Sequence, residues 1–149
     1  MNEDYRDFLA ALVAEEVRFL VVGAHALAVH GYPRATVDID IWVESNPENA
    51  ERVWRALAAF GAPVDDLDID RQDFTRPDVV AQFGLPPNRI DVLTGVSGLT
   101  FEEAWKRRVE APVEGVTVPV LGVEDLVTNK LASGRDKDRA DVRGLEGRS

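Results

Sequence analysis

The sequence predicts a single α/β, or α+β, domain: a small mixed β-sheet with flanking helices. Three observations carry this. Val37 to Val43 alternates strictly between apolar and polar residues, the period of a strand with two unlike faces. Leu9, Leu12, Val13 and Val17, and later Val53, Trp54, Leu57 and Phe60, recur at helical spacing. Glycines punctuate the chain where such segments stop, at Gly23, Gly31, Gly61 and Gly115.

At 149 residues the chain has room for one domain with a real core, spanning 1–149. It is 45% apolar and 30% charged, a globular rather than a disordered composition. It has no cysteine, which excludes disulfides and thiolate metal sites. Met1-Asn2-Glu3-Asp4-Tyr5 lacks the layout of a signal peptide, and no apolar run approaches the ~20 residues of a membrane helix. A cytoplasmic protein without membrane contact is expected. The net charge of −10 opposes non-specific binding to long nucleic acid, so an RNA partner would need a local basic groove.

In chain order, a helix is expected over Asp4 to Glu16, followed by a buried strand, Arg18 to Val22. Gly23 ends that strand and Ala24 to His30 forms a short alanine-rich helix closed by Gly31. A strand, a glycine and a helix in succession can seat phosphate on backbone N–H groups. After a turn at Tyr32-Pro33-Arg34 comes the alternating strand, then a helix opened by Ser45-Asn-Pro-Glu48 as a capping box and stopped at Gly61.

Residues 62–75 are acid-rich without a clear period, and Asp66 to Asp70 within them reads as a solvated acidic loop. Val79 to Phe83 and Arg89 to Leu93 form a strand pair, and Phe101 to Arg108 a helix. Val109 to Val113 and Val116 to Leu121 make a hairpin around Glu114-Gly115, with Pro119 at an edge or strand end. Helices Val123 to Ser133 and about Asp136 to Leu145 close the chain.

Asp38 and Asp40 hold the chemistry. Alternation puts both carboxylates on one face, with Cα atoms ~7 Å apart, while Val37, Ile39 and Ile41 fill the other. Aspartate is a poor strand residue, and two on one face repel unless a cation compensates. Asp91, between the inward residues Ile90 and Val92, supplies a third carboxylate if its strand lies alongside. Such hard oxygen ligands suit Mg2+, or Mn2+, with substrate phosphate and water completing the shell.

The order and spacing of Gly23, of Arg34-x-Thr36-x-Asp38-x-Asp40 and of Asp91 resemble the polymerase-beta-like nucleotidyltransferase superfamily. Lys130-Leu-Ala-Ser-Gly-Arg135-Asp-Lys-Asp138-Arg-Ala-Asp141 looks like the closing motif of its abortive-infection (AbiEii-type) toxin branch and that branch's uncharacterised relatives. The resemblance covers residues 18–142.

It implies a nucleotidyltransferase fold and two-metal transfer of a nucleoside monophosphate from a nucleoside triphosphate to an acceptor hydroxyl, releasing pyrophosphate. Asp38, Asp40 and Asp91 would hold metal and catalyse with Lys130. Gly23, Ala24, Arg34, Thr36, Lys130 and Asp138 would contact the nucleotide. The acceptor would be RNA, protein or a small molecule, and a toxin–antitoxin role would add a cognate partner protein.

Ala24 stands where the family has a second glycine or a serine, so a hydroxyl contact to phosphate is missing. That departure motivates an alternative: a weakly active or inactive nucleotide-binding or protein-interaction module of the same fold. Trp42 shares a strand face with the acids, which leaves base stacking open to it. Lys130 lies on the stripe of Val123, Leu126 and Val127, where it either snorkels to solvent or meets an anion.

Overall fold

The computed structural model describes residues 2–32, 38–64, 69–84 and 89–133. Arg34, Thr36, Asp138 and the helix expected from Asp136 lie outside them.

Helix α1 (Glu3–Ala14) leads into β1 (Phe19–Val22), α2 (Gly23–Val29), β2 (Asp38–Val43) and α3 (Pro47–Phe60). A 3-10 turn (Arg71–Thr75) precedes β3 (Val80–Phe83), β4 (Arg89–Leu93) and α4 (Phe101–Lys106). The hairpin β5 (Val109–Val113) and β6 (Val116–Val120) is followed by α5 (Val123–Ser133). The six strands form one mixed sheet in the order β3-β4-β2-β1-β6-β5. β2 and β4 are parallel, as are β1 and β6, and the other neighbours are antiparallel.

Burial explains the register. Ile39 and Ile41 are fully buried, within the core that holds Phe8, Leu9 and Leu12 of α1 and Val53 and Leu57 of α3. A one-residue slip of β2 would drive Asp38 and Asp40 into that core, so the apolar residues fix which way the acids point. Phe8 closes the layer, meeting Phe60 and Phe83 edge-on at 5.3 and 5.6 Å.

Several expectations need correction. The cap of α3 is Asn46, not Ser45: its side chain accepts the Asn49 N–H at 2.8 Å, with Pro47 at the first helical position. Within the acidic stretch the capping box is formed by Asp70 and Asp73, at the start of the 3-10 turn. Pro119 sits in an inner strand, but β6 meets β1 only at Val120, so the missing N–H falls before that pairing begins.

The acid-bearing face is not wholly open. Helix α2 packs against β1 and β2, and Phe101 of α4 meets Trp42 at 5.2 Å. Trp42 is buried there and is not available to stack on a base. Glu114-Gly115 does form the hairpin turn, with φ of +51° and +82°. Among the described residues no helix is long and apolar enough to cross a membrane.

Candidate active site

The site is assembled by three strands. Parallel register sets Asp40 of β2 directly beside Asp91 of β4, and Asp38 beside Arg89 one row away. Antiparallel register on the other side sets Val22, the last residue of β1, beside Asp40. The chain then turns into α2 at Gly23, whose φ of +68° is costly for any other residue. A Cβ at Gly23 would collide with Asp40 Oδ2. Glycine therefore serves twice here, making the turn and letting the Asp40 carboxylate pack against its Cα.

Asp91 is 7% exposed and Asp40 is half-buried. The two carboxyls stand in register on neighbouring strands, where burial and like charge favour a proton on Asp40. Burial, then Asp91 and then Asp38 push Asp40 up to about 7, against a smaller opposing pull from Lys130. The structure thus brings Asp38, Asp40, Asp91 and Lys130 into one electrostatic neighbourhood. Helix α5, which carries Lys130, is fixed at its first turn by buried Asp125, whose carboxylate takes the Arg107 guanidinium at 3.0–3.1 Å.

Two participants were not evident from the sequence as site residues. The Arg89 Nη2 donates to Asp38 Oδ2 at 2.7 Å, and its Nε lies 3.4 Å from Asp91 Oδ1. The signal was present, because alternation along β4 places Arg89 on the same face as Asp91. Tyr5 of α1 donates its hydroxyl to the Arg89 carbonyl at 3.0 Å. Burial, then the charges of Asp38, Asp40, Asp91 and Glu114, push its phenol up to about 12. Tyr5 is legible as one of the apolar stripe with Phe8, Leu9 and Leu12, but nothing in its spacing points to the acids.

His25 borders the acids from α2. Its ring meets Tyr5 edge-on at 5.7 Å and its Nε2 lies 3.9 Å from Glu114 Oε1, while burial lowers its pKa and favours the neutral form. His30 donates through Nε2 to the Leu121 carbonyl at 2.8 Å, so the two histidines serve separate contacts. Trp105 is half-buried, with the guanidinium groups of Arg18 and Arg108 lying 4.7 and 4.0 Å from its ring.

The Asp40–Asp91 pair fits a hard divalent cation. Asp91 Oδ1 is buried without a hydrogen bond among the described residues, and two adjacent carboxylates are strained without positive charge between them. The third carboxylate is not yet aimed at the same point. Among the described residues no three acidic or histidine side chains converge closely enough to hold an ion, and Asp38 is hydrogen-bonded to Arg89.

Residues 7–146 match the sequence profile of the family described as "Nucleotidyltransferase of unknown function (DUF6036)". No protein with a curated description matches the chain. Among solved structures, the Thermotoga maritima "putative nucleotidyltransferase" TM1012 is similar in fold, with a TM-score of 0.62 at 18% identity. The alignment covers 97% of this chain and 91% of that one. At that identity the likeness speaks to the fold.

Proposed function

Since the chain belongs to the family of nucleotidyltransferases of unknown function, we propose that it moves a nucleoside monophosphate from a nucleoside triphosphate to an acceptor hydroxyl. The acceptor oxygen bonds to the α-phosphorus, the bond from that phosphorus to the bridging oxygen of the β-phosphate breaks, and pyrophosphate leaves. The observation that carries this reading is Asp40 facing Asp91 in register, with the β1–α2 turn at Gly23 packed closely against Asp40.

Asp40 and Asp91, joined by Asp38, would hold Mg2+ or Mn2+. When bound, the divalent cations lower the pKa of the acceptor hydroxyl and neutralise charge on the triphosphate. The protein's own groups do the rest. Gly23 contributes no side chain at the β1–α2 turn, and Ala24 offers its backbone N–H there to a phosphate. Lys130 adds positive charge within electrostatic reach of Asp40, where the triphosphate's negative charge needs a partner. Arg34, Thr36 and Asp138 complete the nucleotide contacts in this reading.

The alternative of a non-catalytic module draws on one observation: Asp38 is engaged by Arg89 rather than turned to its fellow acids. A single experiment separates the two. The protein and its Asp40→Asn variant are incubated with each labelled nucleoside triphosphate, Mg2+ or Mn2+, and an extract containing RNA, protein and small metabolites. Label transferred only by the unaltered protein establishes the reaction and reveals the acceptor class. Equal transfer by the variant, or none by either, removes the catalytic assignment. An acceptor or partner encoded beside this chain, as in a toxin–antitoxin pair, would be captured in the same extract.

A further inference from the structure

Arg89 is the one guanidinium, among the described residues, that reaches two of the three acids. It hydrogen-bonds Asp38 Oδ2 at 2.7 Å and stands 3.4 Å from Asp91 Oδ1, and its backbone is pinned by the buried Tyr5 through the carbonyl. The contact with Asp91 is an ion pair without hydrogen-bond geometry, since both Arg89 Nε and Asp91 Oδ1 lack hydrogen-bond partners. The guanidinium is therefore tightly engaged at one acid and loosely at the other.

A guanidinium and a divalent ion seek the same carboxylate lone pairs. The three acids share one sheet face, yet do not converge as an ion site. Register accounts for this: Arg89 is the cross-strand neighbour of Asp38, so the shortest reach for Asp38 is sideways to Arg89 rather than along the strand to Asp40.

We propose that Arg89 is a built-in competitor for the metal, a positioning residue that holds Asp38 out of the metal shell and so sets the affinity of the site. Divalent cation binds at full coordination only when Asp38 exchanges the guanidinium for the ion. The side chain of Arg89 is 37% exposed, enough to swing aside without unpacking the core. This inference rests on the metal-binding reading of the acids given above.

The test is Mn2+ binding to the whole protein without nucleotide, by calorimetry and by the loss of the free-ion EPR signal. The proteins are the unaltered chain, Arg89→Gln, Arg89→Lys and Asp40→Asn. Removing the competing charge tightens Mn2+ binding about tenfold in Arg89→Gln, and about two- to threefold in Arg89→Lys, whose ammonium cannot bridge two acids.

Equal or weaker binding in Arg89→Gln, while Asp40→Asn loses the ion, overturns the proposal and leaves the metal site standing. Unchanged binding in Asp40→Asn, or none in any protein, overturns the metal reading and this inference with it. Should Arg89→Gln fail to fold by circular dichroism, Arg89→Lys decides alone: tighter binding supports the proposal, and equal or weaker binding overturns it.

Discussion

Asp40 and Asp91 stand side by side in register on parallel strands, where burial and the neighbouring carboxylates favour a proton on Asp40. Ion binding must expel that proton. Because Asp40 is raised to about 7, Mn2+ affinity is expected to climb about tenfold per pH unit below that value and to level off above it. Calorimetry at pH 5.5, 6.5 and 8, in buffers of different ionisation enthalpy, reads both the affinity and the released proton. A flat profile would remove the Asp40 proton from the account.

The same shift fixes a stability prediction. An acid whose folded pKa is raised from 3.8 to about 7 favours the fold below pH ~4, and that contribution is lost as pH rises through about 7. At pH 8 without metal, Asp40→Asn should be more stable than the unaltered chain by roughly 1–3 kcal/mol, less than the full shift because the pair titrates together. At pH 4 the two should agree closely. Urea unfolding at both values is the measurement.

Gly23→Ala should be costly for two separable reasons, its φ of +68° and the collision with the Asp40 carboxylate. A loss of about 2–3 kcal/mol is expected from strain and overpacking together. Shortening the partner with Asp40→Ala removes the collision but not the strain. A cycle through Gly23→Ala, Asp40→Ala and the double variant should therefore show coupling beyond ~0.5 kcal/mol, and additive losses would mean the two residues do not meet.

Asn49 gives a test of the scaffold alone. It is 3% exposed; its Oδ1 accepts the Arg18 N–H at 2.8 Å, and its Nδ2 donates to the Arg18 and Glu44 carbonyls at 3.0 and 2.9 Å. One amide thus ties α3 to the start of β1 and the end of β2. Asn49→Ala should cost about 2–3 kcal/mol by stranding buried backbone groups, while Mn2+ affinity per folded molecule stays unchanged. Urea unfolding paired with calorimetry checks both.

Lys130 opposes the upward shift of Asp40, so Lys130→Ala should raise the Asp40 pKa further and weaken metal binding near neutrality. Carbon-13 NMR of the aspartate carboxyls across pH 5–9 follows the first effect. No movement on removing the lysine would place its charge outside the site.

The strands and helices were legible because each states its period within one segment: Val37 to Val43 by alternation, Val53 to Phe60 by its apolar stripe. The acids were legible for the same reason, since Asp38 and Asp40 lie two apart on a strand. What depends on pairing between strands was not. That Arg89 would stand beside Asp38 follows from the register of β2 against β4, which is set by the core across some fifty residues of sequence. Tyr5 is further still, a core residue of α1 whose hydroxyl meets β4 only once the sheet is complete. The cap falls at Asn46 and not Ser45 because both residues offer cap chemistry and only the backbone chooses between them.

The division of β2 between Ile39 and Ile41 inside and Asp38 and Asp40 outside also separates what folding needs from what the chemistry needs. Drift that erased Asp40 would leave the core untouched and relieve a repulsion, so the silent descendant would be the sturdier protein. Shape alone would then be a poor witness to activity among relatives of this chain. Selection for stability, in a laboratory or a lineage, would be expected to discard Asp40 first.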